Sequence, residues 1–263
     1  MSSKRLNERA APVAGDIAPL WHVGKGQALF AGPLGHNARH QHSTPVFLAG
    51  LYGTFRLRII DSEWLTCRTA VIPAGVAYEF DMGGDPLGVF YLEPSIAGVE
   101  ALAPLVHEAS EVRGALVGRT GEISLVRALY EDRSAAEWVG AALTDLAAYS
   151  KGRAVKEIDP RVSRIVEAMH ERYGDLRPVA EVARSVGLSA SRFQHLFSQA
   201  VGVPFRRYRA WHRLRAAIRA TVKGANLTTA AHAAGFSDQA HFSRDFRSTF
   251  GAPASGSLSK LRG

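Results

Sequence analysis

The sequence predicts an α+β protein of more than one domain: a β-barrel or sandwich first, a helical connecting segment next, and an all-α domain last. Three observations predict it. Residues 17–94 break into short apolar segments separated by turn residues. From Asp159 onward every segment has the spacing and stop signals of a helix. The charge also divides between the two parts. Residues 1–157 hold 15 Lys+Arg against 17 Asp+Glu, a net of −2, whereas residues 158–263 hold 17 against 7, a net of +10.

The 263 residues are 46% hydrophobic and 21% charged, as in ordinary soluble globular proteins, and the length suits two cores better than one. No apolar run approaches the ~20 residues needed to span a bilayer. The start, MSSKRLNERAAP, has charge without an apolar stretch behind it, which disfavours a secretory signal. Cys67 is the only cysteine, so an internal disulfide and a cysteine-built zinc site are excluded. A cytoplasmic location is expected.

In the first part the strand-like segments are Ala28–Phe30, Val46–Leu51, Thr54–Ile60, Trp64–Ile72 and Gly88–Leu92, set apart by Gly32-Pro33, Gly53, Pro73-Ala74-Gly75 and Gly83-Gly84-Asp85. Many short strands at this spacing suit a sandwich or small barrel. From about Ala97 the texture reads as helical. Glu122–Asp132 and Ala135–Tyr149 are the clearest pieces, the second with Val139, Leu143 and Leu146 on one face, available to cover the barrel or to pair with a second subunit. Tyr149–Glu157 is polar and reads as a linker. The expected units are therefore 1–110, a helical dimerisation and linker segment at 111–157, and 158–263.

The last unit opens with a helix from Asp159 or Pro160 to Tyr173, stopped by Gly174. Pro178–Val186 follows, closed by Gly187, then a helix capped by Ser189 running to Gly202. A long helix starts at Pro204 and reaches about Val222. Thr228 is expected to cap a short helix ending at Gly235, and Ser237 or Asp238 the helix that ends at Gly251. Two halves of this region repeat each other. The first reads Ala183-x3-Gly187, five residues, Phe193-x3-Phe197, four residues, Gly202; the second reads Ala231-x3-Gly235, six residues, Phe242-x3-Phe246, four residues, Gly251. Short helix, glycine turn, longer helix is the helix-turn-helix layout, present here twice. The connecting helix would be about 28 Å long at 1.5 Å per residue, which sets the two second helices roughly one DNA turn, ~34 Å, apart. A basic surface beside such a repeat points to a polyanion, although a basic surface can also serve solubility alone.

The run GLSASRFQHLFSQAVGVPFRRYRAWHRLRAA followed by AAHAAGFSDQAHFSRDFRSTFG resembles the DNA-binding domain of the AraC/XylS family of bacterial transcription regulators. It departs from that family after Gly251, where Ala252-Pro253-Ala254-Ser255-Gly256 replaces the usual T-P-x-x-[YF]-R, so a short final helix is expected. With the phenylalanine faces buried, the opposite faces are free for bases. Ser191, Arg192, Gln194 and His195 form the candidate reading set of the first unit, and Gln239, Ala240, His241 and Arg244 that of the second. Arg244 suits guanine and Gln239 suits adenine. Arg206, Arg207 and Arg247 are phosphate candidates, and Arg209, Arg213, Arg215 and Arg219, which share the connecting helix, are expected to neutralise phosphate, stay solvated or pair with Glu and Asp.

The segments GHNARHQHSTPVFLAGLYGTFRL and AVIPAGVAYEF resemble the two halves of the cupin motif, a barrel used as the sensor domain in this family. His40 and His42 would stand where a cupin holds metal, but no carboxylate follows them, and Tyr78 takes the place of the later histidine. Two imidazoles alone seldom make a specific metal site. His36 and Glu79 are the substitutes on hand for the missing ligands; His40, His42 and Tyr78 are otherwise expected to line an open barrel mouth that either binds a small organic effector or has lost ligand binding. Expected partners are double-stranded DNA, such an effector, RNA polymerase and a second copy of this chain, with no cofactor, no metal and no membrane. The reading is a DNA-binding transcription regulator and not an enzyme: G-x-S-x-G, G-x-x-x-x-G-K-[ST] and G-x-G-x-x-G are all absent from the sequence. The competing reading is a metal-dependent cupin enzyme with an accessory DNA-binding domain.

Overall fold

A strand with water on one side alternates in hydrophobicity, whereas one covered on both sides does not, and this chain contains both kinds. The computed structural model describes residues 17–93, 99–132, 134–151, 158–171 and 177–258. The first part holds eleven described strands: β1 (Leu20–Val23), β2 (Gln27–Pro33), β3 (His36–His40), β4 (Val46–Gly50), β5 (Phe55–Ile59), β6 (Leu65–Cys67), β7 (Thr69–Ile72), β8 (Tyr78–Asp81), β9 (Pro86–Leu92), β10 (Val106–Val112) and β11 (Ala115–Gly121). They form a seven-stranded sheet, β1-β2-β9-β4-β7-β11-β10, and a four-stranded sheet, β3-β8-β5-β6.

In β5 the residues Phe55, Leu57 and Ile59 are buried against the other sheet, while Arg56 and Arg58 turn outward and lie over the Trp64 ring at 4.9 and 5.1 Å. In β4 and β9 every residue is buried. Val46, Leu48, Val89 and Tyr91 face the barrel interior with Phe55 and Phe80. Phe47, Phe90 and Leu92 point to the opposite face. That face is covered by α1 (Ser124–Glu131) and α2 (Ala135–Lys151), through Val126, Leu129, Val139, Leu143 and Leu146. The apolar stripe of α2 is thus spent on its own barrel.

Two differences from the sequence expectations are physical in origin. The stretch 106–121, read as helical, is an antiparallel hairpin on the sheet edge, turning at Arg113 and Gly114, which have φ of 51° and 82°. Its first strand, VHEASEV, carries two Glu and an Ala and is exposed along most of its length. Local preference favoured a helix there, and pairing with β7 through β11 overrode it. The boundary drawn at 110 falls inside β10. The run 64–72, read as one strand, divides at Arg68, where the chain crosses from the smaller sheet to the larger.

The second part comprises α3 (Pro160–Glu171), α4 (Val179–Arg184), α5 (Ala190–Val201), α6 (Phe205–Val222), α7 (Leu227–Ala233), α8 (Gln239–Phe250) and α9 (Ala254–Leu258). The stop expected at Tyr173-Gly174 and most of the linker expected at 149–157 lie outside the described residues. Among the described residues, no helix is long and apolar enough to cross a membrane.

This helical part is docked on the barrel. Glu93, just after β9, is buried at 1% exposure and faces α6. Its Oε1 accepts from Trp211 Nε1 at 2.8 Å and from Arg215, and its Oε2 accepts from the Tyr208 hydroxyl at 2.6 Å. Arg215 also donates to the Gly24 carbonyl at 2.7 Å. Arg215, one of the connecting-helix arginines expected to neutralise phosphate, stay solvated or pair with an acidic residue, takes the last course as a buried partner of Glu93. Burial alone would raise the Glu93 carboxyl; the Arg215 guanidinium, with His212 and His170 behind it, outweighs this and holds it below the usual carboxylate range.

Candidate nucleic-acid interface and barrel cavity

The two repeats fold alike because the same residues do the same work. In the first, Gly187 has φ of 71°, and the Leu188 N–H donates to the Ala183 carbonyl at 3.0 Å. In the second, Gly235 has φ of 82°, and the Phe236 N–H donates to the Ala231 carbonyl at 3.0 Å. A left-handed residue is required at this turn, and glycine supplies it without strain. Ser189 caps α5 by accepting from the Arg192 N–H at 3.2 Å, and Asp238 caps α8 by accepting from the His241 N–H at 2.6 Å. The cap of α7 is Asn226, not Thr228: its side chain accepts from the Thr229 N–H at 2.9 Å. Both longer helices end on a left-handed glycine, Gly202 and Gly251.

Phe193 and Phe197 in α5, and Phe242, Phe246 and Phe250 in α8, are buried. The other faces are open. Ser191, Arg192, Gln194 and His195 are all exposed, as are Gln239, Ala240 and Arg244. His241 is only half-buried and is held from several sides: Nδ1 lies 3.2 Å from Ser237 Oγ, Nε2 lies 3.7 Å from Asp245, and the ring meets the edge of Phe236. Gln239 Oε1 accepts from the Thr228 hydroxyl at 3.1 Å, which ties the start of α8 to α7. Arg206 and Arg207 are exposed on the first turn of α6, and Arg247 on α8. Arg213 sits 3.5 Å from Asp245, and Arg209 donates to the Arg177 carbonyl at 2.7 Å, so both of these cations are tied internally.

The barrel mouth, expected to be open, is roofed by the end of α8 and the turn after it. Asn37 Nδ2 donates to the Phe250 carbonyl at 2.7 Å, the Ala38 N–H to the Gly251 carbonyl at 3.0 Å, and Trp21 Nε1 to the Ser257 carbonyl at 3.2 Å. Beneath this roof lies a cavity of about 250 Å³. His40, His42 and Tyr78 line it, with Trp21, Phe30 and Tyr91 from the barrel and Phe246 and Phe250 from α8. The His40 ring lies 4.4 Å from Tyr78 and 5.0 Å from His42, centroid to centroid. Burial lowers His40 to about 4 and His42 well below its ordinary value. Outside the roof, Arg39, Arg244 and Arg247 line a separate groove between β3 and α8.

His40 and His42 gather no carboxylate ligand. Glu79 is paired with Arg58 and lies 3.8 Å from His36. Among the described residues, the acidic and imidazole groups that converge are Glu93, His170 and His212, with ligand atoms within 4.8 Å of one another. Both oxygens of that carboxylate already accept hydrogen bonds from α6, and a guanidinium stands beside it. That group is a neutralised clamp between the two parts.

Comparison with known proteins agrees with this geometry. Residues 182–258 match the family model described as a helix-turn-helix domain. They form a helix-turn-helix domain of the AraC type. The whole chain matches ToxT from Vibrio cholerae O395 at 12% identity and a TM-score of 0.58, over 91% of this chain and 100% of that one. The unsaturated fatty acid-bound ToxT from strain SCE256 matches with the same identity and TM-score, over 91% and 97%. No curated protein matches the sequence. The likeness to ToxT establishes a shared fold: a sheet domain followed by a helical domain.

Within the AraC-type domain, the departure after Gly251 leaves α9 with only five residues, Ala254–Leu258. Sequence reasoning missed the other half of the cavity wall and the Glu93 clamp. Asn37 and Ser257 are 213 and 236 residues from their partners Phe250 and Trp21, and no local pattern signals such pairs. The one available signal was an acidic residue, Glu93, directly after a wholly apolar strand.

Proposed function

We propose that this chain is a sequence-specific DNA-binding transcription regulator, in which α5 and α8 enter neighbouring major grooves and a small organic effector in the barrel cavity sets how they are presented. The observation that carries the reading is the matched pair of helix-turn-helix units, each with a buried phenylalanine face and an exposed polar face at equivalent positions. Ser191, Arg192, Gln194 and His195 would read one half-site; Gln239, Ala240, His241 and Arg244 the other. Arg206, Arg207 and Arg247 would contact phosphates. ToxT bound to an unsaturated fatty acid supports a small organic effector for this fold. A second copy of the chain and RNA polymerase belong to the same reading as partners. So does a cytoplasmic location.

Selection of bound sequences from random duplexes, followed by footprinting, tests it. The expected result is a site with two protected segments about one helical turn apart, bound at least ~10³-fold more tightly than random DNA. Equal affinity for every duplex would overturn it.

A further inference from the structure

The cavity under α8 has a polar end without a charge. None of its lining residues is Lys, Arg, Asp or Glu. His40 Nδ1 is committed to the Ala38 carbonyl at 2.7 Å; as that nitrogen must donate, Nε2 is left as a bare acceptor. His42 Nδ1 and the Tyr78 hydroxyl have no hydrogen-bond partner, although their residues are 3% and 1% exposed. Buried groups of this kind are normally satisfied, and here both residues line a cavity large enough to hold the missing partner. Burial keeps both imidazoles neutral at ordinary pH. The remaining walls are ring faces and edges: Trp21 stacks on Tyr91 at 6.2 Å, and Phe250 meets Trp21 edge-on at 5.8 Å.

We propose that this cavity binds an uncharged aromatic molecule of one or two rings bearing a hydroxyl or ring N–H, and discriminates against carboxylates. The proposal rests on the sensor role proposed for the barrel and adds the chemical class of the ligand. Size agrees: an apolar cavity of ~150 Å³ accepts a benzene ring, so about 250 Å³ takes a substituted or fused ring. The ligand hydroxyl would donate to an imidazole nitrogen and accept from Tyr78. A carboxylate would have to shed its water where no cation replaces it. Arg39, Arg244 and Arg247 line the adjoining groove, which shares His36, Ala252 and Pro253 with the cavity; none of the three lines the cavity itself. The roof itself comes from the AraC-type domain, so the occupant would touch the barrel and Phe250 together.

Isothermal titration of the full chain at pH 7.5 with 2-naphthol, 2-naphthoate, indole and decanoate tests this. One 2-naphthol per chain is expected, at least tenfold tighter than 2-naphthoate, with decanoate weaker still. Tyr78→Phe should weaken 2-naphthol at least fivefold without lowering Tm, because the hydroxyl it removes has no partner in the free protein. Equal or tighter binding of 2-naphthoate or decanoate would overturn the proposal, as would failure of both neutral probes or indifference to Tyr78→Phe. DNA binding measured on the same samples separates the two readings: intact specific binding with failed 2-naphthol binding removes the ligand class alone, and absent specific binding removes the regulator reading whatever the calorimetry shows.

Discussion

The two helix-turn-helix units are near copies in sequence, yet the barrel holds them differently. The first meets it where Gly202 and Val203 lie against the turn at Gly75. The second is stitched to strand β3 by the Asn37 and Ala38 bonds to the end of α8, and to β1 by the Trp21 bond beyond it. Equivalent recognition helices can therefore respond unequally to the same cavity. Phe246 and Phe250 of α8 line the barrel cavity, and α5 contributes none of its described lining residues. Both units share α6, which Glu93 clamps.

The largest expected effect breaks the shared attachment. Glu93→Ala leaves the buried Arg215 guanidinium without its carboxylate and should cost about 3–5 kcal/mol, read as a fall in urea midpoint. An unchanged midpoint would mean that the clamp is not formed in solution.

Acid should loosen the same contacts. His40 and His170 are both held neutral by burial, each at about 4 against an ordinary 6.5. The unfolded chain therefore takes up more protons as pH falls below 6.5, and folded stability declines through that window towards pH 4. A loss of about 1–2 kcal/mol per histidine is expected at pH 5, measured by denaturant titration at pH 7 and pH 5. Stability that rises on acidification would contradict the assignment.

A matched glycine pair sharpens the contrast between units. Gly202→Ala should cost about 1–2 kcal/mol from left-handed strain, since its added carbon meets only Ala74 at 3.7 Å. Gly251→Ala meets the same strain and also drives that carbon into the Ala38 carbonyl oxygen. It should cost more and should free α8 from β3, visible as faster amide exchange at Ala38. Equal losses at the two sites would erase the distinction. At DNA, Arg244→Ala should weaken the specific site by about 1–3 kcal/mol while sparing random duplexes. A loss equal on both would make Arg244 a phosphate contact.

How legible each feature was depends on how local its cause is. The caps at Ser189 and Asp238, the turn glycines and the phenylalanine spacing act within a few residues, so the double repeat could be read directly from the sequence. Strands β4 and β9 announced themselves by unbroken apolar runs. The hairpin β10–β11 did not, because an exposed edge strand carries residues that a helix would also accept. His40, His42 and Tyr78 were visible as a group through their resemblance to a known barrel motif. Their roof was not, since it arises where two distant segments meet, and neither segment carries a pattern that names the other.

The roof has one more consequence. Tyr91 and Trp21 of the barrel pack in one continuous apolar cluster with Trp211 and Phe250 of the helical part. Cutting the chain between the two parts would strip four aromatic rings to water at once, two on each fragment. The intact protein should therefore show one calorimetric transition with a heat-capacity step scaled to the whole chain. The severed barrel, with a sticky aromatic floor where its roof had been, should associate with itself before it reaches its own melting point.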